Sequence, residues 1–362
     1  MSILDVTRLE PFLDALWSSG GTDLLFAAGS APRMRVDGKL APIAGYDVLS
    51  ASAVADLVFG LLDADARTAL RRDRDLDFAF AWGDRARLRG NAYFQGGSVA
   101  LALRLIPQRI PSFDELRLPA VLDEFCRLSQ GLVLVTGPTG SGKTTTIAAM
   151  IDRINATRPC HILTIEDPIE YVHPHRLAAV SQREIGVDTS SFASALRAAL
   201  REDPDVILVG EMRDLETIQF ALTIAETGHL VFATLHTNDA AQAIDRMSDV
   251  FPPERQAQIR VQLAACLSGV VAQRLAPGSA GGLVGAFEVL IANPAVRNLV
   301  RDGKTHQLRN VMLGATNEGM QTLESSLNQL VAAQLVSVEE AIARAVQPRD
   351  IRDMRSSAVR AR

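Results

Sequence analysis

The run Gly137-Pro138-Thr139-Gly140-Ser141-Gly142-Lys143-Thr144 limits what this chain can fold into more than any other stretch. It fits G-x-x-x-x-G-K-[ST] in full, and its flanks matter as much as its letters. The apolar run Leu132–Val135 before it reads as a buried strand, and Thr145 to Ile154 after it reads as a helix. Strand, glycine loop and helix in that order make a phosphate cradle. Glycines let backbone N–H groups turn inward around the β- and γ-phosphates, and the helix N-terminus adds the positive end of its dipole. Gly137, Pro138, Thr139, Gly140, Ser141, Gly142, Lys143, Thr144 and Thr145 are therefore candidate nucleotide contacts. Lys143 would reach phosphate oxygens, and the Thr144 hydroxyl would ligate Mg²⁺. Only three of the 37 basic residues are lysines, Lys39, Lys143 and Lys304, so a lysine here is conspicuous. The implied ligands are ATP and Mg²⁺.

Such a loop needs acidic partners. Asp205-Val206-Ile207-Leu208-Val209-Gly210-Glu211 supplies one: a buried strand with a carboxylate at its C-terminal edge, where ligands bind in parallel sheets. Ile165-Glu166-Asp167-Pro168-Ile169-Glu170 supplies another at the end of a second strand. Two carboxylates suit a division of labour in which one works with the metal and the other orients or deprotonates the attacking water. We place Glu211 with Thr144 at the metal; spacing alone does not assign the base. His229 and His236 flank the strand Leu230–Leu235. Each suits a γ-phosphate sensor as well as a satisfied structural donor.

A length of 362 residues suggests two domains. Residues 1–107 read as a small α+β domain, with helices near Val6–Trp17, Ala51–Leu62 and Ala64–Leu70. Short strands at Asp23–Ala28 and Arg33–Val36, the latter ending in the turn Asp37-Gly38, precede a three-stranded antiparallel meander at Asp75–Trp82, Ala86–Phe94 and Val99–Leu105. Residues 108–119, bounded by prolines, read as an ordered linker. From 120 to 345 short apolar strands alternate with helices, which implies a parallel sheet covered on both faces, with a helical C-terminal part and a strand pair near Val270–Leu275 and Leu283–Leu290. The tail 346–362 is arginine-rich and poor in large apolar residues, and reads as solvated or disordered.

The net charge of −5 argues against a main task on nucleic acid. Cys126, Cys160 and Cys266 are too far apart for a zinc knuckle, so reduced thiols are expected. The N-terminus does not read as a signal peptide, and no apolar run is long enough to span a bilayer. A cytoplasmic location follows, with any membrane association made through a partner.

Three longer segments carry a family resemblance. Thr164-Ile165-Glu166-Asp167-Pro168-Ile169-Glu170-Tyr171-Val172-His173 resembles the Asp box of secretion and pilus ATPases. Arg201-Glu202-Asp203-Pro204-Asp205 through Gly210-Glu211-Met212-Arg213-Asp214 resembles their Walker B segment. Ala225-Glu226-Thr227-Gly228-His229 through His236-Thr237 resembles their His box. Within that superfamily the chain is most similar to the type IV pilus retraction ATPases. It lacks the four-cysteine insert usual in assembly and type II secretion ATPases. Ala295-Val296-Arg297-Asn298-Leu299-Val300-Arg301 resembles the retraction family's C-terminal Ala-Ile-Arg-Asn-Leu-Ile-Arg segment, and would otherwise be an amphipathic packing helix. The chain departs from the family at Leu25, Ala233 and Leu283, where His, Gly and Arg are usual.

The resemblance implies a smaller PAS-like N-terminal domain, a RecA-like P-loop ATPase core and a helical C-terminal extension. It implies a homohexamer in which ATP lies between the two domains and domain closure becomes mechanical work. Arg87, Arg89 and Arg104 match arginines that approach the phosphates, although each equally suits a solvated strand. The implied activity is ATP hydrolysis that powers pilus retraction and twitching motility. The ring would dock at the inner face of the membrane on a pilus platform protein, with a related pilus ATPase as a further partner. An assembly or type II secretion ATPase and a non-hydrolysing ATP-binding subunit are the alternatives.

Overall fold

The computed structural model describes residues 6–36, 38–83, 85–107 and 109–352. Asp37 of the expected Asp37-Gly38 turn and the tail beyond residue 352 lie outside the described residues. The chain divides into two compact units, Met1–Arg109 and Ile110–Arg362.

The first unit is built on strands β1 Asp23–Phe26, β2 Arg33–Val36, β3 Lys39–Pro42, β4 Asp75–Trp82, β5 Ala86–Gln95 and β6 Ser98–Pro107. They form one antiparallel sheet in the order β3-β2-β1-β6-β5-β4. The meander of β4, β5 and β6 is as the alternation predicts. Strand β3 carries no such signal, because it is short and largely exposed. Side chains alternate across β5, so Leu88 and Ala92 enter the core while Arg87 and Arg89 face outward. The helices Glu10–Ser18 and Ala51–Leu61 cover the inner face, with Leu13, Leu16, Val54 and Val58 packed against Phe26, Leu88 and Leu101.

The second unit holds β7 Gly131–Thr136, β8 His161–Glu166, β9 Ala179–Glu184, β10 Val206–Val209, β11 Leu230–Leu235, β12 Leu267–Pro277 and β13 Leu283–Ile291. Their order is β13-β12-β7-β11-β10-β8-β9. Neighbours from β9 to β12 are parallel, and β13 alone runs antiparallel, against β12. The late strand pair therefore belongs to the main sheet: β12 lies beside β7, with Val271 opposite Val135. Strands β7, β10 and β11 are buried along their whole length. Their residues alternate between two cores, with Leu132, Ile207 and Val231 on one face and Val133, Leu208 and Phe232 on the other. Apolar strands covered on both faces are what a parallel sheet requires. Because β7, β8, β10 and β11 are parallel, their C-terminal ends share one edge.

Two segments differ from expectation. Within 108–119 a short helix, Phe113–Leu116, is closed by a capping box between Ser112 and Glu115, a device too brief to show as periodicity. Residues 346–352, expected to be solvated or disordered, are mostly exposed but ordered by anchoring contacts. The buried carboxylate of Glu324 accepts the N–H groups of Val346 (3.0 Å) and Gln347 (2.8 Å), and Arg309 bonds both Glu324 and Asp350. A buried anion attracts any backbone donor in reach, and hydropathy does not reveal that. No described helix is long and apolar enough to cross a membrane.

Candidate nucleotide site

The glycine loop leaves β7 at the shared C-terminal edge and opens the helix Lys143–Thr157. Its geometry depends on two glycines in particular. Gly137 has φ +149°, and a Cβ there would lie 2.4 Å from the Gln273 carbonyl oxygen. Gly142 is the N-cap, with φ +87°, and its Cβ would lie 2.8 Å from Gln273 Nε2. Gln273 thus underpins the loop from β12, and its Oε1 also accepts the Thr146 hydroxyl at 2.8 Å. No local motif marks this residue, which lies far downstream in sequence.

The Lys143 ammonium donates to the carbonyls of Gly137 (2.8 Å) and Pro138 (3.1 Å). Burial lowers its pKa, opposed by the charges of Glu211 and Glu170. Ser141 Oγ is buried and has no hydrogen-bond partner among the described residues. A buried hydroxyl without a described partner, an ammonium hydrogen-bonded to two neutral carbonyls, and the first N–H groups of a helix together fit a polyphosphate. Thr144 is half-buried at the same helix start, and Thr145 shares a 3.1 Å hydrogen bond with the Tyr171 hydroxyl.

The two carboxylates are held differently. Glu211, just past β10, accepts a hydrogen bond from Arg213 Nε, and His236 Nε2 lies 3.2 Å from its Oε1. Burial works against its charge, but Arg213 and His236 outweigh burial and hold the carboxyl below its usual range. Glu166, the last residue of β8, is only 7% exposed, and burial raises its pKa despite hydrogen bonds from Thr164 (2.6 Å) and Gln182 (3.2 Å). The residue after β10, Gly210, packs against Glu166: its N–H bonds the Ile165 carbonyl at 2.8 Å, and a Cβ there would lie 3.2 Å from Glu166 Cα. An ionised group and a proton-affine group at one sheet edge suit different tasks. Glu170 is a third carboxylate whose field reaches Lys143, and it follows the same strand.

The histidines separate. His236 follows β11 and pairs with Glu211, and Thr237 is tied to the end of β7 by its N–H on Thr136 Oγ1 at 3.0 Å. His229 precedes β11, and its carbonyl accepts the Gly131 N–H at 3.0 Å, at the start of β7. Its ring Nδ1 lies 3.1 Å from the Ile224 carbonyl. Parallel pairing of β11 with β7 therefore sets His229 at the opposite edge from the loop, and the chain does not bring it to its own nucleotide site. The strand–loop order carried that signal: what precedes a parallel strand lies at the far edge. Arg87, Arg89 and Arg104 lie on the outer face of the first unit's sheet, where Arg89 is paired in register with Arg104. Arg104 donates to Asp23 at 2.8 Å, and Arg89 lies 3.9 Å from Asp77.

Among the described residues no three His, Cys, Asp or Glu side chains cluster to cage a metal. A Mg²⁺ ion here would take most of its ligands from phosphate and water, which is its habit.

Residues 101–282 match the family model described as type II/IV secretion system protein. The chain is 46% identical over 345 residues to the type IV pilus retraction ATPase PilT of Pseudomonas aeruginosa, covering 95% of this chain and 99% of that one. It is 46% identical over 345 residues to a twitching motility protein of Neisseria gonorrhoeae, covering 95% and 90%. A crystal structure of the pilus retraction motor PilT with bound ADP superposes with a TM-score of 0.88 at 46% identity, over 94% of this chain and 98% of that one. With a RecA-like core around an intact phosphate loop and near-complete alignment to these relatives, the chain belongs to the PilT family of type IV pilus retraction ATPases, within the type II/IV secretion system proteins.

Proposed function

We propose that this chain is the motor of a pilus machine: it hydrolyses ATP to ADP and phosphate and uses the cycle to retract type IV pili in twitching motility. One observation carries the reading. The phosphate loop, the ionised Glu211 with His236 beside it and the proton-affine Glu166 come from β7, β10, β11 and β8, whose C-terminal ends share one edge. The loop N–H groups and Lys143 bind the phosphates of ATP. Thr144 and Glu211 would hold Mg²⁺, which would supply charge neutralisation at the phosphates. Glu166 orients the attacking water and accepts its proton, a task helped by burial that keeps the carboxyl proton-affine. His236 fixes the Glu211 carboxylate and is placed to sense loss of the γ-phosphate. The near full-length match to a protein named for retraction supports retraction over assembly or secretion.

The same proposal includes a homohexamer on the cytoplasmic side of the membrane, bearing on a pilus platform protein, with a related pilus ATPase as partner. It includes Arg87, Arg89 and Arg104 as phosphate contacts, from whichever copy of the chain supplies them. Turnover by purified Lys143→Ala is the direct test: phosphate release should fall to background, and full activity would remove the loop from the chemistry. A deletion strain separates the directions of work. Abundant surface pili without twitching supports retraction, whereas absent pili would assign assembly.

A further inference from the structure

The segment from Glu166 to His173 leaves the end of β8 and continues through an exposed stretch to β9, and it meets the nucleotide site at two places. Tyr171 is one, through the 3.1 Å hydrogen bond between its hydroxyl and Thr145 Oγ1. Glu166 is the other. A single side chain on β9 links both, Gln182. Its Nε2 donates to Glu166 Oε1 at 3.2 Å and to the Tyr171 carbonyl at 2.8 Å. Its Oε1 accepts the His173 N–H at 2.8 Å. The amide thus spends both of its functions on the Glu166 carboxylate and the loop beyond it, and only an amide can donate and accept in this way. Register explains why it is in reach: Gln182 pairs with Thr164 across β8 and β9, and Thr164 donates to the same Glu166 Oε1 at 2.6 Å. The bonds run without a break from the carboxylate through Gln182 and Tyr171 to the first turn of the phosphate-loop helix.

We propose that Gln182 is a positioning residue for ATP hydrolysis: together with Thr164 it fixes the Glu166 carboxylate, and through Tyr171 it ties that carboxylate's place to the phosphate loop. This rests on the reading of Glu166 as the group that handles the attacking water. The described hydrogen bonds of Gln182 go to Glu166, Tyr171 and His173 and not to the phosphate loop, so it serves the chemical step and leaves nucleotide binding to the phosphate loop. A misplacement of about 1 Å at a catalytic group costs about 10²-fold in rate, which sets the scale of the effect.

The test uses the full-length protein and three variants. Gln182→Met keeps the length and volume of the side chain and removes the amide. Gln182→Glu keeps an acceptor for His173 but offers no donor to Glu166. Glu166→Gln reports on the parent reading. Steady-state ATPase measurements with ADP titrations should show kcat falling about 10- to 100-fold in Gln182→Met, with KM for ATP and Kd for ADP within about 3-fold of the parent chain. Gln182→Glu should be impaired at least as much, and Gln182→Met added to Glu166→Gln should cause little further loss. Unchanged kcat in Gln182→Met beside an inactive Glu166→Gln would overturn the role of Gln182 alone. A parallel loss of ADP affinity and thermal stability would also overturn it, in favour of a purely architectural contact. Full turnover by Glu166→Gln would overturn the parent reading and this proposal with it.

Discussion

Gly137 shows how tightly one residue can be specified. Its φ of +149° and the backbone oxygen 2.4 Å from a would-be Cβ exclude any side chain. Gly137→Ala should cost roughly 1–3 kcal/mol in urea unfolding and abolish ADP binding, because the obstructing atom is main chain and cannot swing aside. Glu288 is the opposite case, a residue that no motif marks. It is buried on β13, accepts the Ala240 N–H at 2.8 Å, and burial pushes its carboxyl from 4.5 up to about 7. The unfolded chain ionises it near 4.5, so between 4.5 and about 7 the folded chain keeps a proton that the unfolded chain has lost. Stability therefore falls as pH rises through that window, by about 3 kcal/mol in all, and is flat above it. Glu288→Gln retains an acceptor and cannot ionise. It should match the parent chain at pH ~5 and exceed it by about that amount at pH ~8; an equal difference at both pH values would assign the effect to packing. Glycines and strand-end carboxylates were readable because their meaning is local. Gln182, Gln273 and Glu288 were not, since each acts on a segment far away in sequence that only strand pairing brings near.

Among elements, the helix Pro294–Asp302 best shows how a motif and its packing divide the same residues. Asn293 caps its start, accepting the Val296 N–H at 3.0 Å, and Gly303 closes it in the left-handed region. Val296 and Val300 are buried. Arg297 turns inward as well. Its Nη1 donates to the carbonyls of Ala264 (2.6 Å) and Ala265 (2.8 Å), in the last turn of the helix Pro253–Cys266. Those carbonyls have no partner within their own helix, and a cation there also meets the negative end of the dipole. Sequence presented the segment as either a packing helix or a retraction signature, and for Arg297 the packing role is now concrete. Arg297→Ala should lower stability by about 1.5–3 kcal/mol in thermal or urea unfolding, the usual range for hydrogen bonds to a charged group. Arg297→Lys keeps a charged nitrogen that can donate to both carbonyls, as Nη1 does, and should recover most of it. A loss of motility with unchanged stability would show that Arg297 acts outward instead.

Across the whole molecule, no described core cluster crosses from one unit to the other. Leu9 through Leu103 supply the first core, and residues from Leu122 onward supply the remaining three. The sequence expects a division here because its hydrophobic pattern changes from antiparallel alternation before residue 107 to buried strands spaced by helices from about residue 120. The place of β12 and β13 was not legible, because an apolar run does not say which sheet it joins. Separate cores mean that each unit carries its own apolar stabilisation. They also permit a clean dissection. A fragment of residues 110–362 contains every core residue of the second unit and the whole phosphate loop, so it should fold cooperatively and bind ADP with a Kd near that of the full chain. It lacks Arg87, Arg89 and Arg104. If those arginines stabilise the transferring phosphoryl group, its turnover should fall by about 10³-fold or more, the scale set by arginines that reach a γ-phosphate. Restoring the arginines one at a time in the full chain, against a background of Arg87→Ala, Arg89→Ala and Arg104→Ala, then apportions the loss. A fragment that hydrolyses ATP at the full-chain rate would leave the arginines as solvated strand residues and confine the chemistry to the second unit.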